Sequence, residues 1–142
     1  MDRGPRWLAT ATLIGALYLA ISLASSALAS GATSDGLRFF WRLSAFIVSG
    51  VMLVAHVAYE HLRLRSTVRL TAWHATVAAA FGGLGLAMAA NVHDLASATG
   101  YRPRMLVALV AWPLLTAVPA FVAAMVMAAV LNRWRAHDRG RP

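Results

Sequence analysis

The chain has no cysteine and no lysine, and only five acidic residues among its 142. Without cysteine there is no thiol nucleophile, no thiolate metal site and no disulfide, and the redox compartment leaves no trace in the sequence. Charged residues make up 13% of the chain and hydrophobic ones 60%, with a mean hydropathy of +0.64. A soluble domain of this size has too little interior to hide so much apolar surface. The class expected is therefore an all-α integral membrane protein, which excludes a secreted disulfide scaffold, a disordered tail and a soluble enzyme. The abundance of alanine, arginine and glycine beside the missing lysine fits a GC-rich bacterial genome.

All thirteen basic residues are arginine, and the net charge of +8 raises the question of a nucleic-acid partner. The placement of the arginines answers it. Most lie at the edges of apolar segments, where membrane proteins keep cationic anchors. No soluble segment is large enough to carry a basic face with interleaved aromatics, so no nucleic-acid partner is expected. The partner implied is the lipid bilayer.

A bilayer core requires about 20 apolar residues in helical form. Four stretches qualify: residues 7–30, 39–62, 71–95 and 105–132. Each must be helical, because an open strand would leave backbone groups unpaired in lipid. The connections at 31–38, 63–70 and 96–104 are short, and short links between long helices make antiparallel neighbours. The expected fold is a single membrane domain over residues 1–142, a four-transmembrane-helix up-down bundle.

The arginines also orient it. With the N-terminus inside, Arg3, Arg6, Arg63, Arg65, Arg69, Arg133, Arg135, Arg139 and Arg141 form a cytoplasmic set of nine. Arg38, Arg42, Arg102 and Arg104 form an outer set of four. This bias places both termini in the cytoplasm and the chain in the inner membrane. Trp7, Trp41, Trp73 and Trp134 fall near helix ends as interfacial anchors, while Trp112 lies inside the fourth helix. Residues 1–30 also have the shape of a cleavable leader, with Arg3 and Arg6, an apolar run and Ala27-Leu28-Ala29 as a cleavage pattern. The apolar run over 8–23 is long for a leader core, and cleavage would leave three spans in the same orientation.

Lipid tails are as apolar as leucine, so helices associate through small residues and buried polar contacts. The third helix offers Ala75, Ala79, Gly83, Ala87 and Asn91 at fourfold spacing; the fourth offers Ala108, Thr116, Ala120, Ala124 and Ala128. The first offers Ala16, Ala20 and Ala24. Gly82-Gly83-Leu84-Gly85, mid-helix, suits helix contact rather than a phosphate cradle. Pro113 and Pro119 each remove a backbone donor from the fourth helix and are expected to kink or loosen it.

Charge at mid-membrane costs about 2.5–3.5 kcal/mol per residue, so intramembrane polar groups need a reason. They concentrate on the second helix. Arg42, Ser49, His56 and Arg63 recur at seven-residue spacing, with Arg38 and Glu60 one turn from a member of the set. Seven residues is nearly two turns, so Arg38, Arg42, Ser49, His56 and Glu60 form a stripe that should face protein. If the chain turns near Arg65, Arg38 falls opposite Asp94, Glu60 opposite Arg69 and His56 opposite His74. Asn91, His93 and Asp94 then form an outer ion-pair cluster with Arg38 or Arg42.

His56 and His74 at one depth admit several roles. They suit the axial positions of a b-type haem, or, with Glu60, a metal or proton site. The plain alternative is an interhelical hydrogen bond from each. His61, at the interface, and His137, in the tail, constrain nothing. The spacing of His56 and His61 occurs in membrane di-iron oxygenases, but those need about eight histidines against the five present here. No motif for phosphate binding, nucleotide binding or nucleophilic catalysis appears. The function expected is a small bacterial inner-membrane protein without catalysis of its own, a homo-oligomer or an accessory subunit of a larger membrane complex, with no cofactor. The alternatives are a haem- or metal-binding module on His56 and His74, and a small transporter or channel along the polar stripe.

Overall fold

The computed structural model describes residues 4–96 and 105–139, and the side chains of all of these except 4–6, 136, 138 and 139. The described residues form four α-helices: α1 (Gly4–Ser30), α2 (Asp35–Ala58), α3 (Val68–Ala96) and α4 (Met105–Arg139), with α2 running into a π-helical turn at Tyr59–Arg63. Each contains a segment long and apolar enough to cross a membrane. Of the arginines used for orientation, Arg3, Arg102, Arg104 and Arg141 lie outside the described residues.

The helix boundaries follow local chemistry. α2 starts at Asp35, ahead of the expected residue 39, because Ser34 is extended (φ −134°, ψ 155°) and its hydroxyl accepts a hydrogen bond from the Leu37 amide at 3.2 Å. Asp35 in the first turn complements the positive end of the helix. α4 runs through both prolines as one helix of 35 residues, about 52 Å long at 1.5 Å per residue. Its polar last turns extend past the apolar segment.

α3 is the central helix of the bundle, packing most extensively against α4 and next against α1. α2 leans on α1 and α4 and touches α3 only sparingly. The expected side-by-side hairpin of the second and third helices is thus corrected: they stand across the bundle from each other, with α1 and α4 on either side. Side chains from α2 and α3 therefore meet in the middle.

The close contacts are made where side chains are smallest. A Cβ on Gly15 of α1 would lie 2.7 Å from Phe81 Cβ and 2.9 Å from the Ala78 carbonyl oxygen. One on Gly83 would collide with Thr116 Oγ1 and approach the Trp112 carbonyl to 3.0 Å. Thr116 Oγ1 lies 3.2 Å from the Ala79 carbonyl, an interhelical hydrogen bond from α4 to α3. The glycine-dense segment is therefore a helix-contact surface. Val57, Ala72, Ala75, Ala124 and Ala128 form a fully buried core between α2, α3 and α4.

On α1 the expected stripe is corrected. Ala16, Ala20 and Ala24 are exposed, and the buried small residues are Ala11, Gly15 and Ala29, because α1 turns the Gly15 side toward Gly82. Large apolar side chains such as Phe46, Val107 and Leu115 cover the outside. An apolar exterior around an alanine core is how a bundle solvated by lipid is built.

Candidate functional site

The largest fully buried side chains are not all apolar: they are Glu60, Val57 and Thr71. Glu60 sits in the π-helical turn that ends α2. Here the turn widens, with the Leu64 amide bonding to the Tyr59 carbonyl five residues back at 3.4 Å. Both Glu60 and His61 are buried, at 2% and 3% exposure. Arg65, with φ 53°, then takes the left-handed conformation that stops the helix. π-helical turns are rare and concentrate at functional sites.

Arg135, from the last turns of α4, braces this segment. Its Nη1 donates to the His61 carbonyl at 3.0 Å and its Nη2 to the Leu62 carbonyl at 2.7 Å. A planar guanidinium fork suits two adjacent carbonyls. The π-helical turn is thereby held against α4 by charge-assisted bonds.

Across the bundle, His74 of α3 reaches Glu60, with Nδ1 2.8 Å from Oε2. One proton between these atoms satisfies both, whether it makes an imidazolium–carboxylate pair or a neutral imidazole–carboxylate bond. Trp7, in the first turns of α1, stacks on the imidazole with ring centroids 4.8 Å apart and planes 8° from parallel. Three elements thus meet at one histidine–carboxylate pair, and α4 holds the turn that carries the carboxylate. His56, one turn before Glu60, is 5% exposed.

Around the pair, four buried polar atoms have no hydrogen-bond partner among the described residues: His56 Nε2, His61 Nδ1, His61 Nε2 and Thr71 Oγ1. An unsatisfied buried polar atom costs about 1–3 kcal/mol, which singles out His56, His61 and Thr71 as candidate site residues beside the pair. Among the described residues no group of three His, Cys, Asp or Glu is placed to hold a metal ion. The chemistry the arrangement does support is proton uptake and release by adjacent imidazoles and one carboxylate.

The expected stripe of α2 changes character along its length. Arg38 and Arg42 are exposed, Ser49 is half-buried, and His56 and Glu60 are buried. Two expected pairings are corrected. Arg38 Nη1 bonds Asp35 at 3.2 Å on its own helix rather than Asp94, because a carboxylate one turn away is nearer than one across the bundle. Glu60 bonds His74 rather than Arg69, which is exposed, because Glu60 lies one turn past the buried His56 and so on the inward face of α2. At the opposite end of the bundle, Asn91 Nδ2 donates to the Ala87 and Met105 carbonyls, both at 2.9 Å, tying α3 to α4. Asp94 is buried there and His93 is exposed.

Sequence reasoning missed His61, Thr71, Trp7 and Arg135. His61 lies near the end of the second span, and depth alone does not show that its side chain is buried. Thr71 and Trp7 lay at helix starts, where burial depends on neighbours. Compared with known proteins, the chain matches no family model, no curated protein and no solved structure.

Proposed function

We propose that this is a bacterial inner-membrane protein with both termini in the cytoplasm, acting through association with itself or a larger membrane complex. Its chemical contribution is a proton held between Glu60 and His74. The observation that carries this reading is the 2.8 Å contact of the buried carboxylate with the imidazole, beside two further buried histidines with unpartnered nitrogens. Intramembrane ionisable groups are expensive and mark proton and ion pathways. The arginine bias assigns this end to the cytoplasmic side, where a proton has a short path to water.

Haem ligation by His56 and His74 is less favoured. The residues beside them, Val57 and Ala75, are fully buried with Ala72, Ala124 and Ala128, and a flat macrocycle between the two histidines would have to displace that core.

Glu60 is the sole glutamate in the sequence, so isotope-labelled glutamate reports on one site. Infrared difference spectra of the full chain in nanodiscs, taken between acid and neutral pH, should show a labelled carboxyl band that changes with pH. His74→Ala should shift that response and Glu60→Gln abolish it. A labelled carboxyl that keeps one protonation state throughout, indifferent to His74→Ala, would overturn the proton reading. Native mass spectrometry tests association; a lone monomer with no co-purifying membrane protein would remove that part. A C-terminal reporter found outside the inner membrane would remove the orientation.

A further inference from the structure

At the opposite end of the bundle from Glu60, a cavity of about 900 Å³ lies between α1 and α2, with α3 and α4 contributing to its wall. Ser22, Ser25, Ser26 and Ser30 of α1 line it together with Arg38 and Arg42 of α2. Ser22, Ser26 and Ser30 recur every fourth residue and Ser25 lies three after Ser22, so together they line one side of the helix. The arginines are one turn apart and face the same space. Leu86 and Trp112 supply apolar wall, which gives the tryptophan inside α4 a place in a pocket rather than at an interface.

The donor count does not balance within the protein. Arg38 is partnered by Asp35, whose side chain is 98% exposed. Arg42 makes no hydrogen bond or ion pair with any described residue, and neither do the hydroxyls of Ser22, Ser25 and Ser26. Arginine cannot shed its charge. Arg42 stands seven residues into α2, about 10 Å along the helix at 1.5 Å per residue, within the segment apolar enough to span a membrane. A cation at that depth needs an anion or water. No carboxylate lines the cavity.

We propose that this cavity is an anion site for a ligand whose phosphate group carries net negative charge, with Arg42 as the principal ligand residue, Arg38 beside it and the serine face donating to the remaining oxygens. Guanidinium forks match phosphate oxygens in a bidentate manner, and hydroxyls complete a tetrahedral acceptor. The apolar wall fits the stem of an amphiphile, so the phosphate is that of a lipid headgroup or of a small free anion. The site is independent of the Glu60 pair, since Arg42 and His56 are 14 residues apart on α2, about 21 Å along the axis.

The test uses the full chain in nanodiscs of zwitterionic lipid, with Trp112 emission as readout and Trp112→Phe as the blank. The probes are dihexanoyl phosphatidate, dihexanoyl phosphatidylcholine and inorganic phosphate. Phosphatidate should change the emission and phosphatidylcholine should not. Arg42→Ala should weaken phosphatidate at least about tenfold, and Arg42→Lys should recover only part of the loss because the fork is gone. Competition by inorganic phosphate would assign the site to free phosphate; phosphatidate binding without such competition would assign it to a lipid headgroup. Should Arg42→Ala lose helical circular dichroism, Arg42→Gln carries the same comparison. Equal binding of the two lipids, or unchanged phosphatidate affinity in a folded Arg42 variant, overturns the proposal.

Discussion

A double-mutant cycle on Glu60 and His74 separates a charged, proton-bearing pair from an ordinary interhelical hydrogen bond. Neutral side-chain hydrogen bonds between transmembrane helices contribute about 0.6 kcal/mol on average and at most about 1.7 kcal/mol. Stripping one partner from a buried ion pair costs about 3–5 kcal/mol, because the surviving charge is left without compensation. Here the carboxylate is 2% exposed and the imidazole 8%, with Trp7 shielding the imidazole face. Water therefore cannot replace the lost partner cheaply. Glu60→Ala and His74→Ala should each cost about 3 kcal/mol, and the double variant should be little worse than either, giving a coupling above about 2 kcal/mol. Glu60→Gln, which keeps an acceptor of the same shape but no charge, should fall between wild type and Glu60→Ala. Steric trapping or reversible detergent unfolding in bicelles measures each corner. A coupling at or below about 0.6 kcal/mol would show that the pair is an ordinary neutral contact, and the proton-site argument would fail with it.

Three further substitutions test the packing of the bundle. Gly83→Ala places a methyl against Thr116 Oγ1 and the Trp112 carbonyl, so α4 must shift, at a cost of about 1–3 kcal/mol in the same unfolding assay. Gly50→Ala has no atom within 4 Å of its new methyl and should be neutral or stabilising by up to about 1 kcal/mol. Arg135→Ala removes both donors to the His61 and Leu62 carbonyls and should cost about 1.5–3 kcal/mol, with faster hydrogen exchange in the π-helical turn; Arg135→Lys should restore only part. Unaltered exchange over residues 59–63 in Arg135→Ala would show that the turn holds itself.

Much of the site was legible before the fold. Intramembrane charge is costly enough that the stripe of Arg38, Arg42, Ser49, His56 and Glu60 had to face something other than lipid, and its buried half does. His56 and His74 were singled out because polar groups at matched depth in an up-down bundle approach one another. The partners were harder to read. Equal depth along straight helices paired Glu60 with Arg69, and it failed because depth does not say which way a side chain faces: Arg69 is exposed and Glu60 is buried. The π-helical backbone at Tyr59–Arg63 was not legible either, since nothing in five residues of sequence announces it. The serine face of α1 was overlooked for a different reason: serine is common in packed helices and becomes informative only opposite the two arginines.

Composition and periodicity determine that four long apolar helices form, because a chain so poor in charge and so rich in alanine, valine and leucine leaves the backbone no other way to satisfy itself in lipid. They determine as well which helices carry small residues for contact. Which helices are neighbours, which arginine meets which acceptor and where the π-helical turn falls are decided only in three dimensions. Small energies choose among several packings of four similar rods. Here Gly15 meets Phe81 and Gly83 meets Thr116 so closely that no Cβ fits between them. Those contacts join residues distant in the chain, and local sequence carries no record of them.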